Sequence, residues 1–544
     1  MRKTALLDVK RKNVAMGRSI PFPVEGWDTV SPIAEMSPKR ALVMDNFIPR
    51  QAWGELRRGW ASHSPTAGTG VVESLMAYQS NSGSDDALFA ACDDGSGGYA
   101  LYDVTETVSS AVVTGLSNSR FQHVNFTTTG GHFLYAVNGA DDPQIWNGTA
   151  WSNPTITGAT ASDFIHINAF KKRLFFCANN KIGFYYLPVD SIQGAVSYYE
   201  LGNVFSMGGY LMAMGTWTID GGSGVDDHAV FYSSRGQIAV FAGTDPGDAT
   251  AWRLVGVFNM PSPLGRRCMC KVGGDLYLVS VSGVLPLSRS LILDIAAVNN
   301  VAITQNISPT MTSSAQLYGE NFGWQLIGYP RGTLAILNVP VTEGELSYQY
   351  VMNTLSGAWC RFLGQNAACW ELFNDRLFFG AADGLVCEAD VAASDGGVAI
   401  TGDIKTAFNY FGMRGQQKRF PMLRPLITSD NRISPLVTLN VDFQDSIPSG
   451  VPSTNTNSAI YWNQFNWDAA YWPPAETTSS NWVSVSGIGY CAAVRLRAVA
   501  SVSGIDAVWD LATWDQTEWD TSNSSPVVLK INGFDVTMER GGFI

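Results

Sequence analysis

From about residue 66 to 400 the chain repeats one arrangement of apolar and polar positions. A polar or glycine turn precedes a short strand of alternating large apolar residues, and a Gly/Asn/Asp turn leads into a second strand. The clearest pair is FKKRLFFCANNKIGF (170–184) and FNDRLFFGAADGLVCEAD (373–390). Both place an aromatic residue and two polar residues ahead of Arg-Leu-Phe-Phe. Looser copies are DALFAACDDGSGGYALYDV (86–104), GGHFLYAVNGADDPQIWNG (130–148), DHAVFYSSRGQIAVFAG (227–243), GGDLYLVSVSGVLPLSR (273–289) and GTLAILNVP (332–340). Their first-strand cores fall at Leu88, Leu134, Leu174, Val230, Leu276, Leu334 and Leu377, at spacings of 46, 40, 56, 46, 58 and 43 residues.

Units of about 40–50 residues built on strand-turn-strand predict an all-β chain with a β-propeller of six or seven blades. One four-stranded blade cannot bury both of its faces, so blades stack around an axis and shield one another. Two stacked β-sandwiches are the competing arrangement. Helical sequence is sparse, with SSAQLYGENFGW (313–324) the best short candidate. Beyond the repeat, LVTLNVDF (436–443), NWVSVSGIG (481–489), AAVRLRAVA (492–500) and VVLKINGFDVTME (527–539) predict a C-terminal antiparallel β-sandwich or barrel-like domain.

Charge sharpens the boundaries. The net charge is -12, from 35 Lys+Arg against 47 Asp+Glu, yet residues 1–60 hold 11 Lys/Arg and 6 Asp/Glu, leaving -17 on the remainder. An acidic chain of this kind is no sequence-wide nucleic-acid binder. The first stretch also contains Pro21, Pro23, Pro32, Pro38 and Pro49, which predicts an N-terminal extended arm. Its large apolar residues, Trp27 and Met36 among them, are not the composition of a disordered tail. The expected division is residues 1–65 as a Pro-rich basic docking arm, 66–405 as the propeller and 406–544 as the C-terminal β-domain. Candidate docking residues are Trp27, Met36, Arg57 and Arg58 in the arm, with Arg414, Lys418, Arg419 and Arg424 in FNYFGMRGQQKRFPMLRPL (408–426).

Composition agrees with many strands and turns: 54 glycines, 24 prolines and 63 aromatic residues. The opening MRKTALLDVKRKN lacks the roughly 7–15 apolar residues of a secretory signal. No apolar run approaches the 18 or so residues that cross a bilayer. The cysteines Cys92, Cys177, Cys268, Cys270, Cys360, Cys369, Cys387 and Cys491 are scattered, and are expected to be reduced thiols in partly buried strands.

Catalytic and metal signatures are weak. No H-E-x-x-H, P-loop, G-x-S-x-G or paired C-x-x-C occurs, and Cys268-x-Cys270 has no partner pair. His63, His123, His132, His166 and His228 lie far apart, with no second ligand at metal spacing. The acidic turns DDGSGG (93–98), NGADD (138–142) and DGGSGVDD (220–227) read as hairpin turns rather than calcium loops. No metal, cofactor or enzymatic activity is therefore expected. Six tryptophans stand out: Trp462, Trp467 and Trp472, then Trp509, Trp514 and Trp519, each set spaced by five. They read as packing wedges in irregular strands, or as an aromatic platform for sugar or a neighbouring subunit.

Running text adds a resemblance. PVEGWDTVSPIAEMSP (23–38), ALVMDNFIPR (41–50) and LRRGW (56–60) resemble the start of tail proteins from short-tailed bacteriophages (podoviruses). So do VESLMAYQ (72–79), RFQHVNFTTTGGHFLYAVNGADDPQIWNGTAW (120–151), VFYSSRGQIAVFAGTDPGDATAW (230–252), VMNTLSGAWCRF (351–362), FNYFGMRGQQKRF (408–420) and INGFDVTMERGGF (531–543). The resemblance, to the tail nozzle (tail tubular protein) family, spans nearly the whole chain. It implies a structural virion protein with a β-propeller, built in the host cytoplasm. It further implies a homohexameric ring below the adaptor ring, with tail fibres or spikes outside and double-stranded DNA passing through the lumen at ejection. No enzymatic residues come with it. The alternative is a host-surface glycan-binding or depolymerising tail protein that uses the propeller top or the tryptophan clusters.

Overall fold

The computed structural model describes residues 15–64, 67–81, 83–220, 225–294, 297–429, 432–450, 453–455, 476–500 and 528–543. It has two compact units: residues 58–398, and the residues up to 57 together with those from 399 onward. The first unit is thus inserted in the sequence of the second.

Residues 58–398 form a seven-bladed propeller. Blade 1 consists of Ser74–Tyr78, Ala87–Asp93, Tyr99–Asp103 and Ser110–Leu116. Blade 2 has Gln122–Thr128, Gly131–Val137, Gln144–Trp146 and Trp151–Ser152. Blade 3 has Phe164–Phe170, Arg173–Ala178, Phe184–Tyr186 and Ser197–Tyr199. Blade 4 has Leu211–Asp220, Val225–Ser233, Gln237–Gly243 and Trp252–Asn259. Blade 5 has three strands, Met269–Val272, Asp275–Ser280 and Gly283–Pro286, and runs on into the short helix Leu287–Ser290. Blade 6 has Gln325–Tyr329, Leu334–Thr342, Leu346–Asn353 and Trp359–Phe362. Blade 7 has Cys369–Phe373, Arg376–Gly380 and Val386–Ala392, and its fourth strand is Gly59–Ser64 from the far end of the chain. That strand runs antiparallel to its neighbour, with Ser62 opposite Cys387 and Trp60 opposite Ala389. The first strands of consecutive blades adjoin all the way round, blade 7 meeting blade 1, so the ring is closed.

Each of the seven repeat positions inferred from the sequence, Leu88 to Leu377, lies on the second strand of its blade. Such strands are buried on both faces, which is why they read as apolar runs. Arg173–Ala178 is buried at every position. Its Leu174, Phe176 and Ala178 pack with Tyr135, Val137 and Ile145 of blade 2. Phe175 and Cys177 point the other way, into Phe231, Phe241 and Trp252 of blade 4. At that interface the rings of Phe184 and Phe231 stack with centroids 4.4 Å apart. The Phe-x-x-Arg-Leu-Phe-Phe repeat is a two-residue hairpin. Lys171 and Lys172 have φ of 47° and 61°, and Asn374 and Asp375 have 50° and 59°. Positive φ at both central residues defines the turn whose twist matches the flanking strands. The helix expected at 313–324 runs from Ser308 to Tyr318, with a proline in its first turn.

The second unit is an antiparallel β-sandwich. Long strands Gln416–Ser429 and Leu529–Phe543 pair at the centre of one sheet, and Met16–Pro21 and Gly54–Leu56 also pair with the latter. The other sheet places Val398–Thr406 between Ala41–Asp45 and Ala492–Ala500, followed by Leu436–Val441. The sheets lie face to face at Gly402, where a Cβ would come within 2.4 Å of Phe47 Cε2. Residues 16–56, expected as a separate arm, supply strands to both of these sheets, while Gly59–Ser64 belongs to the propeller.

The packing at the blade 3–4 interface generates a test. Phe231→Ala removes a stacked, fully buried ring and should cost roughly 3–5 kcal/mol in denaturant unfolding. Val108→Ala, at a position 81% exposed, should change stability by less than about 0.5 kcal/mol.

Candidate functional site: the propeller axis

The innermost strands converge on an axial cavity of about 250 Å³, to which all seven blades contribute residues. Because side chains alternate along a strand, the axial positions escape the interblade core and can be polar. His123 comes from the first strand of blade 2, His166 and Asn168 from blade 3, and Gln325 and Glu371 from blades 6 and 7. Arg266 and Arg267 precede the first strand of blade 5, and Lys271 lies within it.

Arg267 ties blade 5 to blades 1 and 2. Its Nη2 donates to the Glu73 carbonyl at 2.9 Å, Ser74 Oγ at 2.9 Å and the Phe121 carbonyl at 3.3 Å. Arg266 Nη1 donates to the Asn138 carbonyl at 3.3 Å. Phe322 lies between two guanidiniums, that of Arg120 at 4.4 Å and that of Arg267 at 5.0 Å. Arg120 in turn is balanced by Glu73 at 2.9 Å and Glu343 at 2.5 Å. Arg267 Nη1 and His166 Nδ1 are buried, with no hydrogen-bond partner among the described residues.

Burial sets the protonation of the axial groups. It pushes the Glu371 carboxyl up to about 8, against which the Leu372 N–H and the Arg267 charge pull only partly. His123 and His166 are pushed down to about 4, by burial first and then by Arg267 and Arg266 respectively. His123 Nε2 stands 3.6 Å from Glu371 Oε2. Both side chains keep about 20% of their surface open, so solvent in the cavity moderates these shifts. Burial thus favours neutral imidazoles and a protonated Glu371 carboxyl beside Arg266 and Arg267.

The residues singled out as docking candidates lie elsewhere. Trp27 and Met36 are 6% and 5% exposed, and the Trp27 indole donates to the Leu42 carbonyl. Arg57 is buried and its Nε donates to Asn46 Oδ1 at 2.9 Å, while Arg58 is exposed. Lys418 is fully buried, its ammonium donating to the carbonyls of Met413, Gln416 and Tyr490, and burial lowers its pKa. Arg424 pairs with Asp535 and lies over the Trp482 ring. Arg414 and Arg419 keep 62% and 65% of their side-chain surface, beside Glu35 and Glu539. Trp462, Trp467, Trp472, Trp509, Trp514 and Trp519 all lie outside the described residues. Seven of the eight cysteines are buried, and Cys270 is half-buried. In the turn at 93–98, Asp93 and Asp94 accept from the backbone N–H groups of Gly95, Ser96 and Gly98. Among the described residues no cluster of three or more His, Cys, Asp or Glu side chains is placed to hold a metal ion.

None of the axial residues stood out in the sequence as a site. One signal was present: His123 and His166 are 43 residues apart, one blade period. Histidines at that spacing fall at equivalent places on consecutive blades, not far apart in space.

No protein-family model matches this chain, and no match was found among curated protein sequences. Solved structures similar to it include BBS1N in complex with ARL6DN, with 9% identity, 61% of this chain and 96% of that one covered, and a TM-score of 0.38. The computationally designed Ika8 protein gives 9%, 64%, 96% and 0.33 for the same quantities. YCF48 bound to D1 peptide gives 12%, 66%, 99% and 0.35.

The axial titrations predict a signed pH profile. The histidines, at about 4 against their ordinary 6.5, make stability rise with pH across that interval, because the unfolded chain holds the extra protons. Glu371, at about 8 against 4.5, acts oppositely, since the folded chain holds the proton throughout that window. Stability should therefore climb towards pH 6.5 and then fall towards pH 8, by no more than about 1.4 kcal/mol per pH unit. Urea unfolding at stepped pH should show the fall in the native chain and lose it in Glu371→Gln.

Proposed function

We propose that this chain is a tail nozzle of a short-tailed bacteriophage: a structural subunit that forms a ring with itself and extends the portal and adaptor channel. The observation that carries the reading is the resemblance of running text, from PVEGWDTVSP near the start to INGFDVTMERGGF near the end. A resemblance of that extent concerns the whole architecture rather than one motif.

Two physical features support it. Residues 61–544 carry a net charge of -17, and carboxylates facing a channel repel phosphate, so duplex DNA slides without the salt-dependent adhesion that Lys and Arg cause. The exposed Arg414 and Arg419 offer cationic contacts for an acidic neighbouring subunit. In this reading the adaptor ring and the tail fibres or spikes are the partners, and the chain works without a cofactor or turnover.

Native mass spectrometry and electron-microscopic class averages of the purified chain test this. Six chains of 58.8 kDa give a particle of about 353 kDa, seen as a six-fold ring with a central hole wide enough for duplex DNA. A ring whose hole is lined by positive charge contradicts the account of DNA passage. Monomers that bind saccharide, and lose it in Trp467→Ala or Trp514→Ala, shift the function to glycan recognition.

A further inference from the structure

The axial cavity is lined by Arg266, Arg267 and Lys271, and Arg267 feels the longer-range attraction of Glu371 and Glu73. Elsewhere in this unit Arg120 meets Glu73 and Glu343, Arg173 meets Asp245 and Arg376 meets Glu388. Among the described residues Arg266 and Arg267 have no carboxylate within ion-pair distance, and their polar contacts are backbone carbonyls and the Ser74 hydroxyl. Arg267 and His166 both line the cavity, and among the described residues Arg267 Nη1 and His166 Nδ1 have no hydrogen-bond partner, although these two atoms are themselves buried away from the open space. Glu371 is the one carboxylic acid among the lining residues, and it faces His123.

A water molecule in the cavity leaves the guanidinium charges uncompensated. An anion compensates them, and charge-assisted hydrogen bonds to a guanidinium are the strong ones. The size of the space narrows the ligand. About 250 Å³ accommodates the volume of roughly eight waters, at about 30 Å³ each. Pockets for drug-sized organic molecules run from about 300 to 1,000 Å³. A compact anion fits this space.

We propose that the propeller axis is a binding site for one small oxyanion of the phosphate class, held by the guanidiniums of Arg266 and Arg267, with His166 as a further hydrogen-bond partner. Phosphate presents acceptors on all sides, so it can engage Arg266, Arg267 and blade 3 together and join blades 3 and 5 across the axis. Lys271 lines the same cavity, its ammonium donating to Thr218 Oγ1 at 3.5 Å. Binding to the folded chain alone raises its stability with anion concentration. The site follows from the cavity and stands apart from the tail reading.

Isothermal titration of inorganic phosphate into the full chain at pH 7, with ionic strength held constant by chloride, tests the site. The expected result is one phosphate per chain, together with a melting temperature that rises with phosphate but not with chloride. Arg266→Gln keeps every bond of Arg267 and should weaken phosphate binding about tenfold or more, and Arg266→Lys should recover part of it. His166→Asn should weaken it less. Should Arg266→Gln fail to fold, the wild-type stoichiometry and the Lys and Asn variants still decide. No phosphate binding by the wild-type chain at millimolar concentrations overturns the proposal, and so does binding that Arg266→Gln leaves unchanged. A short single-stranded oligonucleotide forms the second arm: competition with phosphate at Arg266 would overturn the assignment to a small free anion.

Discussion

Burial on both faces of the blade is the constraint from which the propeller follows. A strand such as Arg173–Ala178 sends Leu174 and Phe176 to one neighbour and Phe175 and Cys177 to the other, so no blade has a face it can leave to water. Six blades in an open arc would expose two such faces and a row of unpaired backbone groups. Closure removes both liabilities. Here it is made by Gly59–Ser64, a strand more than 300 residues away in sequence from the Val386–Ala392 strand it pairs with. Blades 7 and 1 then share a core of Leu88, Cys92, Phe373 and Phe378 like that of any adjacent pair.

Closure also dictates the chemistry of the axis. Once interblade faces take the aromatic and aliphatic residues, the first strands turn their remaining side chains inward, where space is small and polar groups are poorly hydrated. Glutamine, asparagine, histidine, arginine and one carboxylic acid meet there, and burial moves their titrations in opposite directions. A chain that is acidic overall thus has a cationic centre. Net charge governs what the outer surface attracts from a distance, whereas the axis is set by local desolvation.

Much of this architecture was legible in the sequence, and the reasons are physical. Interblade packing demands large apolar residues at a fixed place in each second strand, so the Leu88 to Leu377 series carries the repeat. The two-residue turns at Lys171-Lys172 and Asn374-Asp375 keep the hairpins in register, and so the Phe-x-x-Arg-Leu-Phe-Phe text survives twice. The C-terminal strands showed through their alternation. What did not show was long-range pairing. Nothing local in GWASHS distinguishes a closing strand from an arm, and Trp27 looks the same whether it docks on a partner or is buried in its own chain. Periodicity measured on apolar residues missed the axial set because those positions are polar, although the 43-residue interval between His123 and His166 follows the same repeat.

Ring closure by the Gly59–Ser64 strand is tested most directly by a disulfide. Ser62 lies opposite Cys387 in the antiparallel pair, where Cα atoms are about 4.5–5.5 Å apart and within the range a disulfide spans. On mild oxidation, Ser62→Cys should cross-link to Cys387 in the folded chain, read as a peptide pair by mass spectrometry and absent when Cys387→Ala is added. A folded chain that pairs the new thiol with a cysteine other than Cys387 would contradict closure by this strand.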